Sequence, residues 1–151
     1  PLQTRMVDGR GRSGGPSTTY FNDIVGGRLG YGAINKKAHR FLSGFDLRFA
    51  ACRSGWDADR GPFSTELSRY TPAQLSDFFA ESDVVIVALP TTSETKQVVP
   101  AKELALLGPD GLLVKVGRAS AIVQEALYTA RTATLIARSA IEVVWGRSRE
   151  P

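Results

Sequence analysis

The sequence predicts an α/β fold, a doubly wound and mostly parallel sheet with helices on both faces. Three observations carry that expectation. Short apolar runs alternate with amphipathic segments along most of the chain, the rhythm of strands and their covering helices. Two runs, DVVIVAL (83–89) and GLLVKV (111–116), are continuously apolar or nearly so, as strands buried on both faces must be. A glycine pair, Gly30 and Gly32, stands between the first apolar stretch and the first helical pattern.

The elements follow in order. Residues 1–20 are rich in Gly, Ser, Arg and Thr and are read as a flexible arm or linker, with the folded domain over 21–151. DIVGGRL (23–29) should be the first strand, an imperfect one interrupted by Gly26, Gly27 and Arg28. Beyond Gly32, the residues Ile34, Ala38, Phe41 and Leu42 recur at helical spacing and are expected to face inward. That helix should stop near SGFD (43–46), with Gly44 as its C-terminal cap. LRFAAC (47–52) follows as a strand. TPAQLSDFFAES (71–82) reads as a helix with Thr71 as N-cap and Pro72 in the first turn, and with Leu75, Phe78 and Phe79 on one face. After the strand at 83–89 come a short helix (100–108), the strand at 111–116 and a helix (121–131) with Ile122, Ala126, Leu127 and Ala130 inward. SAIEVVW (139–145) closes the sheet.

Composition narrows the function classes. A chain of 151 residues, 42% hydrophobic and 23% charged, has the make-up of one soluble globular domain with a single core. No apolar run approaches the roughly 18 residues that a membrane span needs. The first residues, PLQTRMVDGRGRSGGPSTTYF, contain no apolar signal core, and the missing initiator Met is read as a fragment or a processed product. The single cysteine, Cys52, excludes an intramolecular disulfide and fits a reducing cytoplasm. One histidine and one cysteine argue against a protein-only metal centre. The net charge of +4 comes from scattered residues, among them Arg5, Arg28, Lys36, Lys37 and Arg138. Without a basic block the excess reads as a solvated surface, and nucleic-acid binding is not expected.

The chemistry sits at GYGAIN (30–35), one residue short of the G-x-G-x-x-G that opens the helix of a dinucleotide-binding Rossmann fold. Gly30 permits the tight turn, and Gly32 lets the backbone approach a pyrophosphate. The amides at the helix start, at Ala33 and Ile34, then meet the negative charge. Asn35 replaces the third glycine, whose role is close packing of helix on strand, and should push the helix outward or strain it without abolishing binding. From this motif alone, a glycine turn with no ligand stays open. At the end of the second strand, where NAD-binding folds carry an acidic residue, the sequence reads Arg53-Ser54. A guanidinium pairs with a 2′-phosphate that an acid would repel, so a bound cofactor should be NADP, with NAD disfavoured. The alternative for Arg53 is a solvated strand-end residue.

The block ESDVVIVALPTTSETKQVVPAKELALLGPDGLLVKVGRASAIVQEAL (81–127) closely resembles the nucleotide-binding domain of the D-isomer-specific 2-hydroxyacid dehydrogenases. The family's strand ending in Leu-Pro appears as Leu89-Pro90, its threonine loop as TTSET (91–95), and its strand-to-helix turn as KVGRA (115–119). The likeness extends over roughly residues 22–145. It implies an oxidoreductase acting on the CH–OH group of 2-hydroxy acids, with a small 2-oxo or 2-hydroxy acid as substrate. Arg118 matches the arginine that grips the carboxylate and carbonyl of a 2-oxo acid. Glu142 matches the acidic residue that holds the nicotinamide carboxamide. Leu89, Pro90, Thr95, Val116 and Gly117 match positions along the nicotinamide and ribose. A homodimer is implied on the same ground.

The pattern also breaks. The family's catalytic acid is a histidine, whereas the one histidine here, His39, lies on the first helix as a surface or packing residue. Glu150, in the final Glu-Pro, is carried as a second catalytic candidate beside Arg118. Lys115 stands where the family has Asn, Ala119 where it has Gly, and Val123 where it has Asp. The family's split substrate domain is almost wholly missing. Two readings follow: an NADP-binding domain not catalytically complete as this chain, or a non-catalytic Rossmann-like binding or assembly module.

Overall fold

The computed structural model describes residues 24–56, 67–116, 121–132 and 138–141. Six strands form one sheet in the order β3-β2-β1-β4-β5-β6: β1 (Val25–Leu29), β2 (Arg48–Cys52), β3 (Leu67–Tyr70), β4 (Val84–Val87), β5 (Leu112–Lys115) and β6 (Arg138–Ile141). Every pairing is parallel. Four α-helices are described: α1 (Ala33–Leu42), α2 (Leu75–Glu81), α3 (Ala101–Leu106) and α4 (Gln124–Thr132). This is the strand order of a doubly wound sheet, in which the order of strand addition reverses between β1 and β4 while the strands stay parallel, opening a crevice at their carboxyl ends.

The first strand corrects an expectation. Far from being interrupted, VGGRL is a continuous strand, buried at all five residues and paired on both sides. Its glycines are room for neighbours. A Cβ on Gly27 would fall 2.4 Å from Ser82 Oγ and 3.0 Å from Phe78 Cζ, so glycine lets α2 lie directly on the strand. On the opposite face, a Cβ on Gly26 would come within 3.1 Å of Arg28 Nη1, whose side chain folds back over that position. Arg28, counted from sequence among the surface charges, is only 1% exposed. Its guanidinium lies 5.5 Å from the Phe49 ring, and Nη1 donates to the Gly27 carbonyl at 3.1 Å. Burial lowers its pKa to about 10.

α1 presents a different face from the one its apolar residues suggest. Ile34 is 56% exposed and Phe41 68%, while Asn35 and His39 are fully buried. The helix is held by polar bonds. The Asn35 Nδ2 amide shares its hydrogens among the carbonyls of Gly30 (2.5 Å), Ile86 (3.2 Å) and Leu29 (3.3 Å). One turn on, the His39 ring packs on Phe49 with centroids 4.1 Å apart. Asn35 thus draws the helix onto the sheet, contrary to the expected outward push. Its C-cap is Ser43 in right-handed geometry, so the expected Gly44 cap is not the one used.

The main core occupies the other face, where Phe78 and Phe79 of α2, Leu104 and Leu107 at α3, and Ala126 and Leu127 of α4 cover Leu29, Cys52, Val85, Val87 and Leu113. The predicted helix at 71–82 begins as a single 3-10 turn, Pro72–Gln74, with Gln74 Oε1 accepting from the Thr71 amide at 3.1 Å. β3 had no counterpart in the sequence reading. LSRY is a short edge strand with half-exposed side chains and no apolar run.

Candidate functional site

The parallel register brings the strand ends to one rim. Leu29 pairs with Cys52 on one side and with Val87 on the other, and Val87 pairs with Lys115. The backbone continues these ties past the strands. Gly30 N–H donates to the Cys52 carbonyl (2.9 Å), Ala88 N–H to Leu29 (3.0 Å) and Val116 N–H to Val87 (3.1 Å). The glycine turn and the residues after β5 therefore share the carboxyl edge, separated by one strand.

Gly30 and Gly32 do different work in this turn. Gly30 has φ +80°, and a Cβ there would lie 2.6 Å from the Ala88 carbonyl oxygen, so only glycine fits. At Gly32 a Cβ would meet nothing within 4 Å among the described residues. Gly32 is the N-cap residue of α1, with no side-chain cap and no acidic residue in the first turn. The first intrahelical bond runs from Lys36 N–H to the Gly32 carbonyl at 2.9 Å. A ten-residue helix thus presents its amino end, at Gly32, Ala33 and the exposed Ile34, to open space on the rim. This is a cradle of the kind a pyrophosphate fills, so the residues present fit a dinucleotide.

Arg53 and Ser54 follow β2 directly. The Arg53 amide donates to the Tyr70 carbonyl at 3.1 Å, and its Nε to the Ser54 carbonyl at 3.3 Å. Leu89 and Pro90 leave β4 beside the turn, with Leu89 Cδ2 2.8 Å from the Cβ position of Gly30. In the threonine loop, the Thr95 hydroxyl donates to the Pro90 carbonyl and accepts from the Thr92 amide at 2.9 Å. Its side chain is therefore committed to shaping the loop. Val116 directly follows β5 and is described; Gly117, Arg118, Glu142 and Glu150 lie outside the described residues. Lys115 is fully buried at the rim, and desolvation lowers its pKa.

Sequence reasoning missed three residues of this rim. Tyr31, only 4% exposed, lies with its hydroxyl 2.5 Å from His39 Nδ1 and its ring 5.8 Å from that of Trp56. Trp56 and Arg69 meet beside Arg53. A signal for Trp56 was present, an aromatic two residues past Ser54; for Arg69 there was none, because its strand was not recognised. His39 is a packing residue, as one of its two readings held. Burial, aided by the charge of Arg28, lowers its pKa to about 4. Among the described residues, no group of three or more His, Cys, Asp or Glu could hold a metal ion, and no helix is long and apolar enough to cross a membrane.

Comparison with known proteins agrees with this geometry. The family model for the NAD-binding domain of D-isomer specific 2-hydroxyacid dehydrogenases matches residues 3–151. A glyoxylate reductase of Thermococcus gammatolerans is 30% identical over 125 residues, covering 81% of this chain and 36% of the relative. The chain thus spans about a third of that relative's length. Among solved structures, a D-isomer specific 2-hydroxyacid dehydrogenase from Xanthobacter autotrophicus Py2 in complex with NADPH and MES superposes with a TM-score of 0.70 at 26% identity, over 99% of this chain and 60% of that one. An NADPH-dependent glyoxylate/hydroxypyruvate reductase from Sinorhizobium meliloti, in complex with NADP and malonate, gives 0.73 at 26% identity, over 99% and 46%.

Proposed function

The chain belongs to the NAD-binding domain family of the D-isomer-specific 2-hydroxyacid dehydrogenases, and from that premise we propose that it is the NADP-binding domain of a 2-oxo acid reductase. The observation that carries this reading is the open helix start at Gly32, set beside a strand end that carries Arg53. Gly30, Gly32, Ala33 and Ile34 hold the pyrophosphate on backbone amides. Arg53 and Ser54 take the 2′-phosphate, which disfavours NAD. Leu89, Pro90, Val116 and Gly117 line the ribose and nicotinamide, Thr95 fixes the loop that presents Pro90, and Glu142 holds the carboxamide. The nicotinamide, when bound, supplies the hydride.

Arg118 grips the carboxylate and carbonyl oxygen of a small 2-oxo acid, offsetting the negative charge that develops on that oxygen. The domain is not catalytically complete as these residues. His39, the one histidine, is buried between α1 and the sheet, and burial lowers its pKa to about 4, so at neutral pH it is not the imidazolium that would act as proton donor to substrate. Glu150 remains the other candidate at the reacting centre. A small-molecule acid is the partner, the domain works in the cytoplasm, and a homodimer is its assembly. The alternative, a non-catalytic Rossmann-like binding or assembly module, would be favoured by a broken first strand or a glycine turn strained by Asn35, but β1 is continuous and Asn35 bonds to the turn.

Titration with NADPH and NADH, followed by the fluorescence of the reduced nicotinamide, tests the reading. A saturable signal stronger for NADPH is expected, and Arg53→Asp should weaken NADPH more than NADH. No saturation at millimolar cofactor would contradict it.

A further inference from the structure

Trp56 is the point at which cations from two neighbouring strands converge. Its indole Nε1 donates to the Tyr70 carbonyl at 2.7 Å, which fixes the ring against the end of β3. The guanidinium carbon of Arg53 lies 5.6 Å from the ring centroid, and that of Arg69 lies 5.3 Å from it. β2 and β3 run parallel with Ala51 beside Arg69 and Cys52 beside Tyr70, so both arginines leave the same rim. A guanidinium drawn to an indole in this way keeps its full charge, and its planar fork suits donation to a phosphate oxygen. Two like charges on one ring repel each other, and an anion between their edges removes that cost. A phosphate monoester near pH 7 carries a charge of roughly −1.5 to −2, more than one guanidinium neutralises.

We propose that Arg69 is a second determinant of selectivity for the 2′-phosphate, forming with Arg53 a two-guanidinium clamp braced on Trp56. The proposal rests on the reading that the adenosine ribose lies at the end of β2. It assigns a role to β3, whose residue reaches the ligand only because the strand adds to the sheet edge beside β2. It also gives Trp56 a function, as a platform that orders two flexible side chains before the nucleotide arrives.

The test is calorimetric titration of the 151-residue chain, as wild type, Arg69→Gln, Arg69→Lys and Arg53→Gln, with NADPH and NADH at one ionic strength. Arg69→Gln should weaken NADPH about tenfold, the scale of one lost charge-assisted contact, and leave NADH within about twofold. Arg69→Lys should fall between, since it keeps the charge and loses the planar fork. Arg69 is exposed, so melting temperatures should match; if Gln lowers stability, the Lys variant supplies the comparison. A wild type that does not prefer NADPH overturns the NADP reading and the clamp with it. A wild type that prefers NADPH, with the ratio lost in Arg53→Gln and unchanged in Arg69→Gln, leaves the NADP reading standing and overturns the clamp.

Discussion

Asn35 donates its side-chain amide to the carbonyl of Ile86, 3.2 Å away on β4, and to that of Gly30, 2.5 Å away in the glycine turn. One side chain thereby joins the start of α1, the phosphate turn and the neighbouring strand. A third glycine would allow close packing by having no side chain; asparagine achieves the same approach by bonding to the backbone it meets.

Replacing Asn35 by Gly should therefore destabilise the domain, reversing what the glycine pattern suggests. The carbonyls of Gly30 and Ile86 lose their buried donor, and glycine adds backbone entropy in the first helical turn. Together these cost about 1–3 kcal/mol. Urea denaturation followed by far-UV circular dichroism measures it; equal or higher stability in the variant would show that the asparagine strains the turn.

His39 gives stability a pH dependence of definite sign. Its folded pKa is about 4 against 6.5 for the free group, held down first by burial and then by the charge of Arg28. Between those values the unfolded chain binds a proton that the folded chain refuses. The contribution is complete above pH 6.5, falls as pH drops and levels off below about 4, a span of roughly 3 kcal/mol. Comparing wild type with His39→Phe over this range isolates it, because the carboxylates titrate in both. The same slope in the two proteins would place the histidine outside the titration.

Arg28 is a buried cation whose Nε and Nη2 find no hydrogen-bond partner among the described residues. Arg28→Met keeps the stem packing over Gly26 and removes the charge, and should raise stability by about 1–3 kcal/mol. It should also raise the His39 pKa by removing its charged neighbour, an effect that NMR titration of the single histidine reads directly. A destabilised variant with an unchanged histidine would mean that the guanidinium is compensated by contacts of greater worth than its burial costs.

The sheet and most of its helices were legible because apolar periodicity is strong wherever the core is apolar. DVVIVAL holds β4, with Val85 and Val87 completely buried, and Phe78 and Phe79 share a helix face as their spacing predicts. The failures have one cause in common: positions where polar atoms or missing side chains do the packing. Asn35 and His39, four residues apart, bury a polar stripe that the hydrophobic pattern of α1 reads as its outer face. Gly26 and Gly27 look like a break in β1 because the side chains filling their space come from Arg28, Phe78 and Ser82. β3 lacks any apolar run, and with it Arg69 went unseen. The positions of the glycine turn after β1 and of Arg53 after β2, both set by offset from a strand, were legible, while the bonding of Asn35 within the turn was not.

The most direct test of a nucleotide at this rim is Gly32→Asp. A Cβ at Gly32 meets nothing within 4 Å among the described residues, and a carboxylate at this N-cap position suits the helix start, so the melting temperature should be equal or higher. The same carboxylate would stand where the pyrophosphate lies. NADPH affinity by calorimetry should then fall at least about tenfold, the effect of roughly 1.4 kcal/mol of repulsion and lost contact. A folded Gly32→Asp variant that binds NADPH as tightly as the wild type would contradict the account, since the pyrophosphate would then lie elsewhere.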